Sequence, residues 1–293
     1  MSAFLPTAWL QQRLGMALRS RVAGPDADEH ARGIWSAEGP RWFSESDPIW
    51  RVNADAAMLP GGIAALLLQS LHPLAMAGVA GHSGFKGDPW GRLQRTGLYL
   101  ATTTFGTERD AEAMIARVRG IHRRIHGVDF RGRPYAASDP DLLRWVHVAE
   151  VTSFLTAYQA YGPKSLSPQE ADLFVVQSNR AAALLGASDL PMSVAELGEQ
   201  VQSYRPVLEA TPAAREAASF LLLSPPVSLL ERPGYALIAA GGVALLPLWA
   251  RLELRLPLLF PAAPISRRIG RVGAGLVRWG FSGIEQLKPS DAR

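Results

Sequence analysis

Apolar positions in this chain recur at helical spacing, and strict apolar–polar alternation over five or more residues is hard to find. A nearly unbroken apolar run extends from Leu59 to Ala80, and a second stretch is uncharged from Gly234 to Ala250. Between them the apolar side chains return every third or fourth residue. Ala111, Ile115, Val118 and then His122 share one helical face, and Leu142, Leu143, Trp145 and Val146 open another amphipathic segment. Four start signals fall in register with this pattern. Asp88-Pro89, Asp139-Pro140, Ser167-Pro168 and Thr211-Pro212 each put a capping side chain before a proline suited to the first helical turn. The pattern predicts helices over 60–80, 89–104, 108–126, 140–161, 168–186, 193–209, 212–223, 232–249 and 265–279. Residues Val128–Ala137, with Gly127 and Gly132 as breakers, predict a loop or short hairpin. The expectation is an all-α chain with an N-terminal extension over 1–35 and a single domain over 36–285.

The stretch Gly234–Ala250 sits at the lower limit of the ~17–25 residues a membrane span requires, and it contains Gly241, Gly242 and Pro247. A buried core helix kinked near Pro247 accounts for it better than a span does. Peripheral membrane contact through residues 220–263 stays open, because Leu254–Pro264 is apolar and Arg267, Arg268 and Arg271 follow it. The segment from Met1 to Val22 has no positive start, and Gln11, Gln12 and Arg13 interrupt its apolar run, so it does not read as a signal peptide. It predicts an amphipathic helix with Leu10, Leu14 and Leu18 along one side. A cytoplasmic location is the expectation, with membrane association as its alternative.

Composition narrows the chemistry. The chain has 293 residues, enough for a sizeable core; 48% are hydrophobic and 19% charged, on the greasy side of globular proteins. The net charge of +4 is spread thinly, with its densest cluster at Arg117, Arg119, Arg123, Arg124, Arg131 and Arg133. No reading motif accompanies that cluster, so no nucleic-acid partner is expected. There is no cysteine, which excludes disulfides, zinc fingers, iron–sulfur clusters, thiolate-ligated haem and covalent haem attachment. Any metal must be held by His, Asp, Glu, Tyr or Met.

The six histidines are His30, His72, His82, His122, His126 and His147. His122 ends an apolar stripe, and His126 falls one turn later on nearly the same predicted face. Such an H-x-x-x-H pair can chelate a metal, but Arg123, Arg124 and Ile125 replace the glutamate of a zinc protease and put two cations beside the ion. A haem suits this setting better, because its propionates welcome arginine and its iron needs one imidazole. After Asp88-Pro89, the residues Arg92, Thr96, Tyr99 and Thr103 share a face. They offer either a surface arginine with a threonine, or a propionate clamp (Arg92, or Arg95 one step round) beside a hydroxyl facing dioxygen. His147 and Glu150 form an i,i+3 pair that a plain helix-surface contact would explain. No G-x-S-x-G elbow, Walker loop or G-x-G-x-x-G fingerprint occurs.

The ordered elements GG-x8-LHPLAMAGVAGHS, DPWGRLQRT, FGT, VRGIHRRIHG, PYAASDPDLLRWVH and EVTSFLTAYQAYG resemble the DUF2236 family. That family includes the latex-clearing type of rubber oxygenase and the fungal MpaB-type oxygenases. The likeness is dense over roughly residues 45–165 and weaker through RPGYALIAAGGVALLPLWAR. It implies an all-α fold with a globin-like core, non-covalent haem b held by one histidine in a haem pocket, and dioxygen as co-substrate. The family's R-x-x-x-T pair falls on Arg92 and Thr96, and the basic residue beside the threonine falls on Arg95. The I-H-x-x-I-x-G context selects His122 as iron ligand, with His126 as the rival. The catalytic glutamate of the rubber-cleaving members has no counterpart in Leu71–Ala80, so a small hydrophobic or amphipathic substrate is expected instead of rubber. Two alternatives stand beside this oxygenase or oxidase. One is a non-catalytic haem-binding or membrane-peripheral protein. The other is a non-haem metal site on His122 and His126 with His72 or His82.

Overall fold

The computed structural model describes residues 24–82, 87–229, 231–256 and 263–282 together with Gln11, Gly15 and Met16, with side chains in the last helix from Arg268 onward. The N-terminal helix expected around Leu10, Leu14 and Leu18, the residue Ser83 and most of the Leu254–Pro264 run lie outside the described residues. Helix makes up 71% of the described residues and strand 3%. The all-α expectation holds.

In chain order the elements are α1 (Ala27–Ser36), α2 (Pro48–Asn53), α3 (Met58–Gln69), α4 (Pro73–His82), α5 (Pro89–Phe105) and α6 (Glu108–His122). A two-stranded antiparallel hairpin follows, β1 (His126–Val128) with β2 (Pro134–Ala136). Then come α7 (Pro140–Tyr161), α8 (Pro168–Leu185), α9 (Val194–Tyr204), α10 (Pro212–Leu223), α11 (Arg232–Leu245), α12 (Leu248–Glu253) and α13 (Ala263–Ser282). All four cap–proline signals start helices. Asp88 accepts from the Gly91 amide and Asp139 from the Asp141 amide; Ser167 closes a capping box with Glu170, and Thr211 accepts from the Ala214 amide. Each satisfies a backbone donor that the first helical turn leaves free.

Four predicted boundaries are corrected. The helix expected over 60–80 is two helices, α3 and α4, bent by 107°. Pro73 has no amide hydrogen and its ring clashes with the preceding turn, so α3 ends and a new helix begins with the proline in its first turn. His72 therefore occupies the corner and not a helix interior; it is buried, with its Nδ1 3.5 Å from the Ala75 amide. The helix expected over 108–126 ends at His122, which puts His126 on β1, paired with Ala136. Gly127 is needed there, because a Cβ would lie 2.9 Å from the Tyr135 hydroxyl across the hairpin. The helix expected over 193–209 ends at Tyr204 and passes into a short 3-10 turn, Arg205–Val207. The helix expected over 232–249 breaks at Leu246-Pro247, the position where a kink was expected.

The core centres on α7. Against it packs α3, whose Leu67, Leu68 and neighbouring Leu71 surround the fully buried Trp145, and the Trp145 indole donates to the Gln69 carbonyl at 3.2 Å. Next to α3 lie α11 and α13, drawn in by glycine. A Cβ on Gly242 would fall 2.7 Å from the Ile63 Cβ, so only hydrogen fits. Tyr161 on α7 donates to the Gly241 carbonyl at 3.0 Å, and Arg278 on α13 clasps Asp55 at 2.8 and 3.0 Å. Helices α8 and α9 cover another side of α7 with Phe174, Val175, Leu197 and Val201. Among the described residues no single helix is long and apolar enough to cross a membrane; α3 and α4 reach that length only together, across their bend. The Gly234–Ala250 stretch is, through Ala239–Ala244, buried core.

Candidate functional site

Helices α5 and α6 form an outer pair. α5 packs on α6, α2 and α1, and α6 packs on α8, yet neither packs closely on the central α7. Leu100 of α5 packs on the apolar cluster that includes Val148, Val151 and Phe154 of α7, while few backbone positions of the two helices come close, and the interval between them is a candidate slot. The ends of α5 are fastened unequally. At its C-terminal end Thr102, Thr103 and Thr104 are buried, Asn53 donates to the Thr104 hydroxyl at 2.8 Å, and Arg41 donates to the Phe105 carbonyl. Phe105 also stacks with Trp35 and meets Trp50 edge-on. At its N-terminal end the Trp90 indole donates to the Pro226 carbonyl at 2.9 Å. Between these anchors, from Gly91 to Ala101, no residue of α5 is fully buried.

Polar side chains on three helices, α5, α6 and α7, keep part of their surface accessible. Glu150 on α7 is deep in the protein and keeps partial surface access, yet makes no hydrogen bond or ion pair among the described residues. Burial pushes its carboxyl up to about 7. Tyr99 on α5 has its phenol pushed well above the usual range, first by burial and then by the Glu150 charge. Arg92, two turns before Tyr99, is half-buried, and burial followed by the neighbouring Arg95 lowers its pKa. His122 closes α6. Its pKa is lowered by burial, and its Nδ1 is enclosed without a hydrogen-bond partner. The ring keeps part of its surface accessible, which leaves Nε2 as the nitrogen turned to open space.

The remaining predicted residues have other surroundings. Thr96 is exposed, and its hydroxyl donates back to the Arg92 carbonyl at 3.0 Å. Arg95 is exposed and paired with Asp88 at 3.0 Å. His126 is exposed on β1, and its carbonyl is 3.2 Å from Nε2 of His82, which is itself exposed. The proposed chelation by His122, His126 and a third histidine is not assembled, for no three His, Cys, Asp or Glu side chains converge among the described residues. His147 and Glu150 do not pair as a surface contact would. His147 is half-buried, its Nε2 is 2.9 Å from Oδ1 of Asn179, and desolvation holds it down to about 4, with the Asn179 bond opposing. Asn179 in turn donates from Nδ2 to the Pro191 carbonyl at 2.7 Å. That fixes its oxygen toward His147, so the neutral imidazole carries its proton on Nε2. A separate groove between α6 and α8, lined by Ile115, Arg119, Arg123 and Leu184, contains none of the candidate residues.

Residues 50–279, most of the chain, match the family described as ER-bound oxygenase mpaB/B′/rubber oxygenase, catalytic domain. The chain belongs to this family. Uncharacterized proteins of Mycobacterium bovis and Mycobacterium tuberculosis are each 34% identical to it over 76 residues. That alignment covers 26% of this chain and 30% of each relative, so the chain spans under a third of the length of the curated relatives it matches. No solved structure matches. The family match spans α2 to α13 almost entire, and so takes in α5, α6 and α7 whole.

Glu150 and Tyr99 are site residues whose importance the sequence pattern understated. A signal was present. Leu143, Val146, Phe154, Ala157 and Tyr161 form an apolar stripe along α7, and Glu150 is the one carboxyl set within it.

Proposed function

We propose that this chain is a haem-dependent oxygenase or oxidase that acts on a small hydrophobic or amphipathic substrate, with its cofactor in the slot between α5 and α7. The observation that carries the reading is His122, an imidazole kept neutral by burial, with one nitrogen buried and orphaned and the other turned to open space. A neutral ring has the lone pair that an iron ligand must offer. A flat, largely apolar group would lie between α5 and α7, and half-buried Arg92 would offer a cation to its acidic edge. His126 fits less well as ligand, since it is exposed on the hairpin. Thr96 could turn its hydroxyl from the Arg92 carbonyl toward the slot, and Arg95 could serve an acidic edge only by leaving Asp88. Bound in this way, haem would supply an open iron position for dioxygen. The protein's own part is to exclude water with the α3–α7 core, to orient the cofactor by one imidazole and one guanidinium, and to select substrate by the slot walls.

The test is the Soret band and haemochrome content of protein made with ample haem. His122→Ala is expected to lower haem content at least tenfold while His126→Ala retains it. Less than a tenth of a haem per wild-type chain would sink the reading, and loss in His126→Ala alone would move the ligand.

Peripheral membrane contact is a second reading compatible with the first. Leu223, Leu229, Leu248 and Leu252 are 74%, 77%, 56% and 53% exposed, and Arg251 and Arg255 lie beside the last two. Flotation with anionic liposomes should fall when Leu248 and Leu252 are changed to serine. Unchanged flotation would remove this reading.

A further inference from the structure

The groove between α6 and α8 has a volume of about 500 Å³, inside the range of roughly 300–1,000 Å³ that small-molecule sites occupy. Arg119 and Arg123 line it together, one turn apart at the end of α6. Both are exposed, and neither side chain makes a hydrogen bond or ion pair among the described residues. Neighbouring arginines are engaged: Arg131 with Glu209, Arg133 with Asp129, and Arg180 with Glu108 and the Trp42 ring. The groove floor is small and apolar. Ala116 and Gly120 form it on α6, and a Cβ added to Gly120 would meet nothing within 4 Å. Leu184, exposed on α8, forms the opposite side. We propose that this groove binds a linear amphipathic anion, its carboxylate or phosphate head bridged by Arg119 and Arg123 and its hydrocarbon body laid over Ala116 and Gly120 against Leu184. The groove lies apart from the slot, and its occupant needs no haem.

Charge and shape select this class. Like charges four residues apart on a helix repel one another. The carbonyls at the α6 C-terminus offset part of that repulsion, and the guanidinium donors stay unused until an anion bridges them. Guanidinium groups match carboxylate and phosphate oxygens in geometry as well as charge. Glu112, the one carboxylate lining the groove, does not neutralise them; it lies two turns before Arg119, about 10 Å along the helix axis. Its place at the far rim disfavours an occupant with a second anionic end. A bare inorganic anion would satisfy the arginines and leave Leu184 in water. An alcohol or hydrocarbon would cover Leu184 and leave the arginines unbridged, and a cation would be repelled by them. Glycine inside a helix weakens it relative to alanine, and no contact among the described residues requires hydrogen at Gly120. An apolar chain lying over that floor does require it.

The measurement is the affinity of the full chain for octanoate, octyl phosphate, 1-octanol, octylamine and acetate by ligand-observed NMR, with haem content determined on the same preparations. The tighter of octanoate and octyl phosphate identifies the head, and it should bind at least about tenfold more tightly than octanol, octylamine or acetate, the effect of one or two charge-assisted hydrogen bonds added to burial of the chain. Arg119→Gln with Arg123→Gln should bring that affinity down to the level of octanol. Gly120→Leu, which fills the floor, should weaken it at least about tenfold while the melting temperature holds or rises, since leucine favours helix and meets no neighbour there. Thermal melts identify any variant that fails to fold, and the two variants are independent arms. Equal affinity for anion and octanol, acetate binding as tightly as octanoate, or binding unchanged in either folded variant would each overturn the proposal. Loss of haem in the arginine variant would assign the groove to the cofactor and also overturn it. Absence of haem from the wild-type chain with the anion preference intact would instead overturn the haem reading alone.

Discussion

Helix α7 is packed in opposite ways on two of its sides. Toward α3 it presents Trp145 and Ala149, both without exposed surface, and the contact is closed by leucines, with glycines on α11 behind α3. On another side it carries Glu150, partly accessible and without a hydrogen bond or ion pair among the described residues. One helix thus carries the tightest packing and the loosest polar region of the fold. The first side stabilises the protein, and the second costs stability because polar groups are buried without partners. Substitutions on the two sides should therefore move stability in opposite directions.

The largest effect belongs to the packed side. Trp145→Ala should lower unfolding stability by about 3–5 kcal/mol, from lost burial and the cavity left behind. A urea titration reads this as a lower midpoint at unchanged slope. A loss under 1 kcal/mol would mean that the α3–α7 contact is not the stability centre. The slot side should respond with the other sign. The Glu150 pKa is raised from 4.5 to about 7, so the native state keeps a proton that the unfolded chain releases above pH 4.5. Its contribution is fully present below 4.5 and is lost as pH rises through 7, a difference of up to about 3 kcal/mol. Glu150→Gln should then stabilise the protein at pH 8 and change little at pH 4. Melting curves at the two pH values give the answer, and destabilisation at pH 8 would show that the carboxylate has a partner.

His147, one turn earlier, sets the opposite window. Its pKa is lowered from 6.5 to about 4, so the unfolded chain takes up a proton that the native state refuses. That stability is present above pH 6.5 and is lost as pH falls through 4. Asn179→Ala, which removes the His147 acceptor and the donor to Pro191, should cost about 1–3 kcal/mol near neutral pH. An unchanged midpoint in that variant would show that the neutral imidazole does not depend on the Asn179 bond.

Much of the packed side was legible in the sequence, and little of the slot was. Cap–proline pairs declare helix starts through local chemistry, and Asp88, Asp139, Ser167 and Thr211 each cap the helix they announced. The bend at His72-Pro73 was masked by apolar residues on both sides of it, although proline's missing amide was sufficient reason to expect a break. The end of α6 has no strong stop signal before Gly127, which serves the hairpin, so His126 read as a continuation of the His122 face. Glu150 was missed for a different reason. Whether a carboxyl on an apolar stripe is bonded, solvated or orphaned depends on how far apart two helices stand, and that distance is set by tertiary packing.

The smallest expected effect tests the side of the slot that faces outward. The Thr96 hydroxyl donates only to the Arg92 carbonyl of its own helix, four residues back, and the side chain is exposed. Such a bond replaces water and adds little to a helix. Thr96→Ala should therefore shift stability by less than about 0.5 kcal/mol. The comparison is sharpened by what the same variant does to a bound haem. A structural threonine leaves the spectrum of the reduced, carbon monoxide-treated protein unchanged, whereas a hydroxyl that turns into the slot shifts it without altering the melt. A large loss of stability in Thr96→Ala would contradict the exposed placement and extend the packed character of α7's inner side to α5.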